Sequence, residues 1–150
     1  MPTQPAHFPL PGDAARLGCP RCREPMRPEW HRSIEIDRCP ACGDLWFDRT
    51  ELTTYVADKT PGLGKVKLGS PRKERAAPEM SLTCPRCEAP SLEPYEWDGH
   101  RFSRCESCSG VRLGSTALDG IVADIEQRLR REKGSASPSE ILFWLLFVAR

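Results

Sequence analysis

The chain has 150 residues, with 15 prolines, 11 glycines, eight cysteines and 39% hydrophobic residues. That excludes one large self-sufficient core, and units of roughly 40 residues fold only with a metal, disulfides or a partner. A formal charge of +1 does not suit a strongly basic nucleic-acid binder.

In chain order, residues 1–15 read as a disordered tail punctuated by Pro2, Pro5, Pro9 and Pro11, with Phe8 and Leu10 as its only packing candidates. The tail lacks a basic region followed by an apolar run, so no signal peptide is expected. Residues 16–57 form a first module. It opens on Cys19-Pro20-Arg21-Cys22 and closes on Cys39-Pro40-Ala41-Cys42-Gly43, in the pattern C-x2-C-x16-C-x2-C. That is zinc-site spacing. Between the pairs, Trp30–Arg38 reads as one extended strand, with Ile34 and Ile36 on one face and Ser33, Glu35 and Asp37 on the other. Asp48 and Glu51 then have the spacing of a capping box, which predicts a short helix over 49–57 packing through Leu52, Tyr55 and Val56.

Residues 58–82 read as a flexible linker, with no apolar period and a net charge of about +3 from its lysines and arginines. Residues 83–122 repeat the first module. Cys84-Pro85-Arg86-Cys87 and Cys105-Glu106-Ser107-Cys108 follow the same pattern with one residue inserted between the pairs, and Leu45, Leu52 and Val56 recur as Val111, Leu118 and Val122. The match at one period indicates a duplication. The second copy keeps its cysteines but has Arg112-Leu113-Gly114 where the first has Trp46-Phe47-Asp48, and Ser109 where the first has Gly43. Gly110 is the expected source of its turn, one residue later. An amphipathic helix follows over 115–133, with Leu118, Ile121, Val122, Ile125 and Leu129 along one stripe. Ser137-Pro138-Ser139-Glu140 then starts a hydrophobic helix over 138–150 whose residues 141–149 are all apolar. At about 20 Å it is too short to span a bilayer, which takes about 20 apolar residues. Its cover would be the chain itself, a second copy, a partner's groove or a membrane surface.

The repeated spacing assigns all eight cysteines as metal ligands: Cys19, Cys22, Cys39 and Cys42 at one site, Cys84, Cys87, Cys105 and Cys108 at the other. Two Zn2+ ions, each in a closed four-thiolate shell, are the expected cofactors. Iron is the main metal alternative, because Cys39-Pro40-Ala41-Cys42-Gly43 also looks like a rubredoxin knuckle; disulfides or a redox dithiol are the others. A closed shell leaves no position for an activated water, and no catalytic constellation is visible, so no enzyme is expected. His31 and His100 lie between the knuckles of their modules, where four cysteines already fill each shell. Trp30, Trp46, Phe47, Trp97 and Phe102 are read as shielding the metal and filling a small core, with base stacking as the sharper alternative. Arg21, Arg23 and Arg86 sit in or beside knuckles, where they offset the charge of the thiolates.

With those residues in hand, the first module resembles the bacterial zinc-ribbon family named after the ribbon of transcription factor IIB. The resemblance rests on Cys19-Pro20-Arg21-Cys22, Asp37-Arg38-Cys39-Pro40-Ala41-Cys42-Gly43, Leu45-Trp46-Phe47-Asp48 and Glu51-Leu52, and covers residues 19–56. The second module matches only through Cys84, Cys87, Arg104-Cys105, Cys108 and the apolar positions that follow. The resemblance implies short antiparallel strands around one Zn2+ per module, and its name suggests transcription.

The sequence thus predicts a small metal-stabilised α+β fold: two tandem four-cysteine zinc ribbons, each followed by a helix, and a hydrophobic C-terminal helix. The expected function is a cytoplasmic, non-enzymatic adaptor for a protein partner and, as a further partner, nucleic acid. The alternatives are a membrane-peripheral or self-associating assembly protein held by residues 138–150, and a thiol-based zinc or redox sensor.

Overall fold

The computed structural model describes residues 16–65, 67–75, 82–88 and 92–131. The expected hydrophobic helix over 138–150 and the tail over 1–15 lie outside the described residues. Among the described residues, seven strands form one antiparallel sheet: β1 (Arg27–His31), β2 (Ile34–Arg38), β3 (Asp44–Phe47), β4 (Arg72–Lys73), β5 (Glu93–Trp97), β6 (His100–Arg104) and β7 (Val111–Gly114), in the order β1-β2-β3-β7-β6-β5-β4. Two helices, α1 (Glu51–Lys59) and α2 (Ser115–Arg131), follow β3 and β7.

Each module is a hairpin plus one strand. The segment expected as one strand over Trp30–Arg38 is folded in two, because a turn at Arg32-Ser33 joins β1 to β2 with His31 opposite Ile34. The alternation predicted for Ile34 and Ile36 holds: both are buried while Glu35 between them is exposed. In the second module the turn is Asp98-Gly99, both residues left-handed (φ 51° and 83°), which is the two-residue hairpin chemistry that matches strand twist.

The two modules do not stand apart on a linker. Strand β3 of the first pairs with β7 of the second, with Leu45 opposite Leu113, Trp46 opposite Arg112 and Phe47 opposite Val111. Aligning the copies on Cys39 and Cys105 makes Trp46 and Arg112 equivalent positions. They face one another across the seam, which makes it a local twofold. Alternation along β3 and β7 then sends side chains to two cores. Leu45, Phe47, Val111 and Leu113 join the main core under the helices, with Leu52, Val56, Leu118, Ile121 and Ile125. Trp46 points the other way, into a second cluster with Cys19, Met26, Cys39, Cys84, Leu92 and Cys105.

Helix α1 starts two residues later than predicted, and only half of its expected capping box forms. Glu51 Oε2 accepts from the backbone N–H of Asp48 at 2.7 Å, but Thr50 directly precedes the helix and no side chain caps it. The Asp48 carboxylate is engaged elsewhere, as described below.

The stretch that composition marks as a linker also differs from a plain spacer. Among its described residues, Leu63 and Leu68 are buried in the main core. Thr60 Oγ1 donates to the Val56 carbonyl at 2.6 Å, Trp97 Nε1 donates to the Gly69 carbonyl at 2.7 Å, and β4 pairs with β5. Isolated leucines in a polar, Gly- and Pro-rich context give no periodic signal, so their burial is a tertiary effect. Leu63→Ala is therefore expected to cost roughly 2–3 kcal/mol, as a buried leucine does and a spacer residue does not. Chemical denaturation of the zinc-loaded protein checks it, and a change under 0.5 kcal/mol (about the scatter of surface substitutions) would return the segment to spacer status.

Candidate metal centres

Four knuckles hold the eight cysteines, and all four use the same backbone turn. The residue after each second cysteine is left-handed, and its N–H donates to the carbonyl of the first: Arg23 to Cys19 at 2.9 Å, Gly43 to Cys39 at 3.0 Å, Glu88 to Cys84 at 2.9 Å and Ser109 to Cys105 at 2.9 Å. Only Gly43 adopts this conformation without steric penalty. Ser109 takes it at φ 64°, so the turn is not displaced onto Gly110 as the sequence suggested. Arg104 Nη2 donates to Ser109 Oγ at 3.2 Å and helps hold it. Gly110 has another use: a Cβ built there would lie 2.1 Å from Cζ2 of Trp46. The knuckle passes so close to the indole that no side chain fits.

The knuckles bring together the two groups of four that the sequence assigned. Cys19, Cys22, Cys39 and Cys42 form one, and Cys84, Cys87, Cys105 and Cys108 the other, with the sulfurs of each group within 4.8 Å of one another. All eight are free cysteines. In the first group Sγ–Sγ separations are 3.6 Å for Cys19–Cys42, 3.3 Å for Cys22–Cys39 and 3.8 Å for Cys22–Cys42. In the second they are 3.6 Å for Cys84–Cys108 and 3.9 Å for Cys87–Cys105. A tetrahedral ion with Zn–S bonds of about 2.3 Å needs sulfur edges of about 3.8 Å. Disulfides need about 2.0 Å. Both groups therefore fit Zn2+ with four sulfurs and no remaining position, which is a structural site.

The thiols are tuned unequally. Burial raises Cys39, but the backbone N–H groups of Cys42 and Ala41 and the Cys22 thiol outweigh it and hold its pKa at about 7, below the ordinary 9.0. Burial pushes the Cys42 and Cys84 thiols well up. Zinc needs all four as thiolates, so loading expels protons and affinity falls as pH falls. Burial also raises Asp37 and Glu51. Carboxyls raised in the fold favour folding as pH drops, the opposite sign, but by far less than a metal site contributes. Competition with a chromogenic chelator is therefore expected to show zinc affinity weakening steadily on acidification from neutral pH; a flat profile would mean that thiolates are not the ligands.

Around the sites, acid–arginine pairs tie one module to the other. Asp48 accepts Trp46 Nε1 at 3.0 Å, and it also accepts Arg86 Nε at 3.0 Å and Arg86 Nη2 at 2.5 Å. Arg86 belongs to the first knuckle of the second site, so the bidentate pair crosses the seam. Asp44, 2% exposed, follows the last knuckle of the first site and accepts Arg112 Nε from β7 at 2.7 Å. Arg21 stands 3.9 Å from the other oxygen of Asp44. The knuckle arginines thus neutralise carboxylates beside the thiolates. The pairs that cross the seam, Arg86 with Asp48 and Arg112 with Asp44, carry no local sequence signal.

His31 and His100 are not members of the two metal groups. His31 packs on Tyr55 with ring centroids 4.6 Å apart, and His100 Nε2 lies 2.7 Å from Asp124 Oδ2. Trp46 and Phe47 are fully buried, Trp97 and Phe102 are buried, and Trp30 is 70% exposed. Four of these five side chains therefore serve packing.

Comparison with known proteins agrees with the geometry. A search of curated proteins and a search of solved structures gave no match. The profile of the family described as "Transcription factor zinc-finger" matches residues 18–58 and again 83–124. Each matched segment contains one complete four-cysteine group with its strands and most of its helix, and together they span more than half of the chain. The protein belongs to the transcription factor zinc-finger family, as two tandem zinc ribbons fused through one sheet.

Proposed function

We propose that this protein is a non-catalytic adaptor in which zinc fixes two ribbons as one rigid surface for a protein partner. Zinc-ribbon domains often bind nucleic acids or proteins, and the family's description makes the transcription machinery the first place to seek that partner. Eight thiols stay available for metal in a reducing compartment, so the reading assigns the protein to the cytoplasm.

The observation that carries the choice of protein over nucleic acid is where the positive charge goes. The basic stretch after α1 spends Arg72 on Glu96 and Lys73 on Glu93, both acids of the neighbouring strand. On the sheet, Arg38 pairs with Glu29 at 2.8 Å and Arg101 with Glu74 at 2.9 Å. Cations already matched to carboxylates release few counterions on meeting phosphate, which is the dominant driving force for non-specific nucleic-acid binding.

Fluorescence anisotropy with generic single- and double-stranded nucleic acid, at two salt concentrations, tests the choice. The zinc-loaded protein is expected to bind neither more tightly than about 100 μM at low salt. Micromolar, salt-sensitive binding would replace the protein-adaptor reading with a nucleic-acid one.

A further inference from the structure

Among the described residues the repeat leaves a space unfilled. In the second module Tyr95 and Phe102 fill the gap between hairpin and helix, with their rings stacked 5.7 Å apart. The equivalent positions of the first module, in the alignment of Cys39 with Cys105, are Glu29 and Ile36. Neither is aromatic, and a cavity of about 130 Å³ opens there, lined by Glu29, His31, Ile36, Arg38, Tyr55 and Leu118. His31 Nε2 is buried beside it with no hydrogen-bond partner among the described residues. A cavity of about 150 Å³ holds one benzene ring, so this one suits a single aromatic side chain.

The neighbouring sheet edge is also incomplete by the same comparison. Strand β5 is covered by β4, with Arg72 opposite Glu96 and Lys73 opposite Tyr95, and Glu74 N–H donating to the Pro94 carbonyl at 2.9 Å. Strand β1 is the equivalent of β5, and Pro28 is the equivalent of Pro94. Yet among the described residues β1 ends the sheet, and Trp30 stands 70% exposed on it.

The chain supplies a candidate cover at matching distance. Lys73 precedes Cys84 by the same number of positions as Phe8 precedes Cys19. The connection is therefore long enough, because the second module spans the same path with the same count. We infer that residues 5–10 dock on β1 as β4 docks on β5, with Phe8 filling the cavity. Carried over from the second module, this docking pairs the position of Phe8 with Glu29, on the face where the cavity opens, and that of His7 with Trp30. Pro9 is the sequence equivalent of Glu74 and has no N–H to donate to the Pro28 carbonyl. The docking thus depends on the Phe8 side chain more than on ladder hydrogen bonds. The cavity is an aromatic side-chain site, and its resident ligand is the chain's own N-terminal segment.

The test uses the full-length, zinc-loaded chain and its Phe8→Ala variant, read by NMR signals of the His31 imidazole and the Trp30 indole N–H. Both signals are expected to move in the variant, and Phe8→Leu to restore them in part. A synthetic peptide of residues 1–15 added to the Phe8→Ala protein is expected to return them toward the original positions. The same peptide carrying Phe8→Ala should bind at least about tenfold more weakly, since it lacks the apolar area of the ring. Signals unmoved by Phe8→Ala would overturn the inference. So would signals that move only on removal of residues 132–150, or that depend on protein concentration, because the occupant would then be the C-terminal segment or a second copy.

Discussion

Cys105→Ser is expected to empty the second zinc site and also to weaken zinc binding at the first by at least tenfold. The direct loss is large, because a structural zinc site contributes on the order of 10–16 kcal/mol at neutral pH. A ribbon of this size has little else to hold it. The indirect loss follows from the seam. Strand β7 begins three residues after Cys108, and it is the partner of β3, which begins two residues after Cys42. When the second site opens, β7 loses its anchor and β3 its outer neighbour. Arg86, fixed between Cys84 and Cys87, no longer holds Asp48, and Arg112 no longer holds Asp44. The first site would then stand on a strand paired on one side only, with two acids newly unpaired beside its thiolates. Cobalt titration separates the two effects, since each tetrahedral thiolate site gives its own charge-transfer absorption. One equivalent bound with the affinity of the first site unchanged would sink the coupling and make the ribbons independent beads.

Much of the first ribbon can be read directly from its residues. The C-x2-C pairs declare the metal groups because their spacing is set by local turn geometry. Ile34 and Ile36 declare a strand face, and Leu52 and Val56 a helix face, because each pattern matches one backbone period. The seam is harder to read because its signal lies in the differences between the copies. Aligned as a repeat, Arg112 looks like a lost tryptophan, Gly110 like a lost aspartate and Gly114 like a second one. In the fold Arg112 lies opposite its own counterpart Trp46 across the local twofold, and the contacts of the seam are exchanged between neighbouring positions. Arg112 reaches Asp44, and a Cβ at Gly110 would collide with Trp46. Two tryptophans facing each other on the twofold would compete for one space, so the repeat works only if the copies diverge there. The packing of Leu63 and Leu68 escaped for a different reason, as single apolar residues in a loop have no period to detect. The Asp98-Gly99 hairpin did carry a local signal, in a residue pair suited to two left-handed positions.

Trp46 and Gly110 should show that divergence as a measurable coupling. Trp46 is fully buried in a cluster containing cysteines of both sites, so Trp46→Ala is expected to cost about 3–5 kcal/mol through the cavity it leaves. Gly110→Ala inserts a methyl group 2.1 Å from Cζ2 and 2.8 Å from Cη2 of the indole. A ring packed between two metal sites has little room to move, so the substitution is expected to cost about 2–3 kcal/mol, at the upper end for overpacking. The two changes cannot add, because once the indole is gone the new methyl group meets open space. The double variant should therefore be no less stable than Trp46→Ala alone, a coupling of about 2 kcal/mol or more against additivity. Denaturation of all four zinc-loaded proteins measures it. Strict additivity would mean that the knuckle after Cys108 does not rest on Trp46, and the single ring shared by two zinc sites would lose its part in fusing the ribbons.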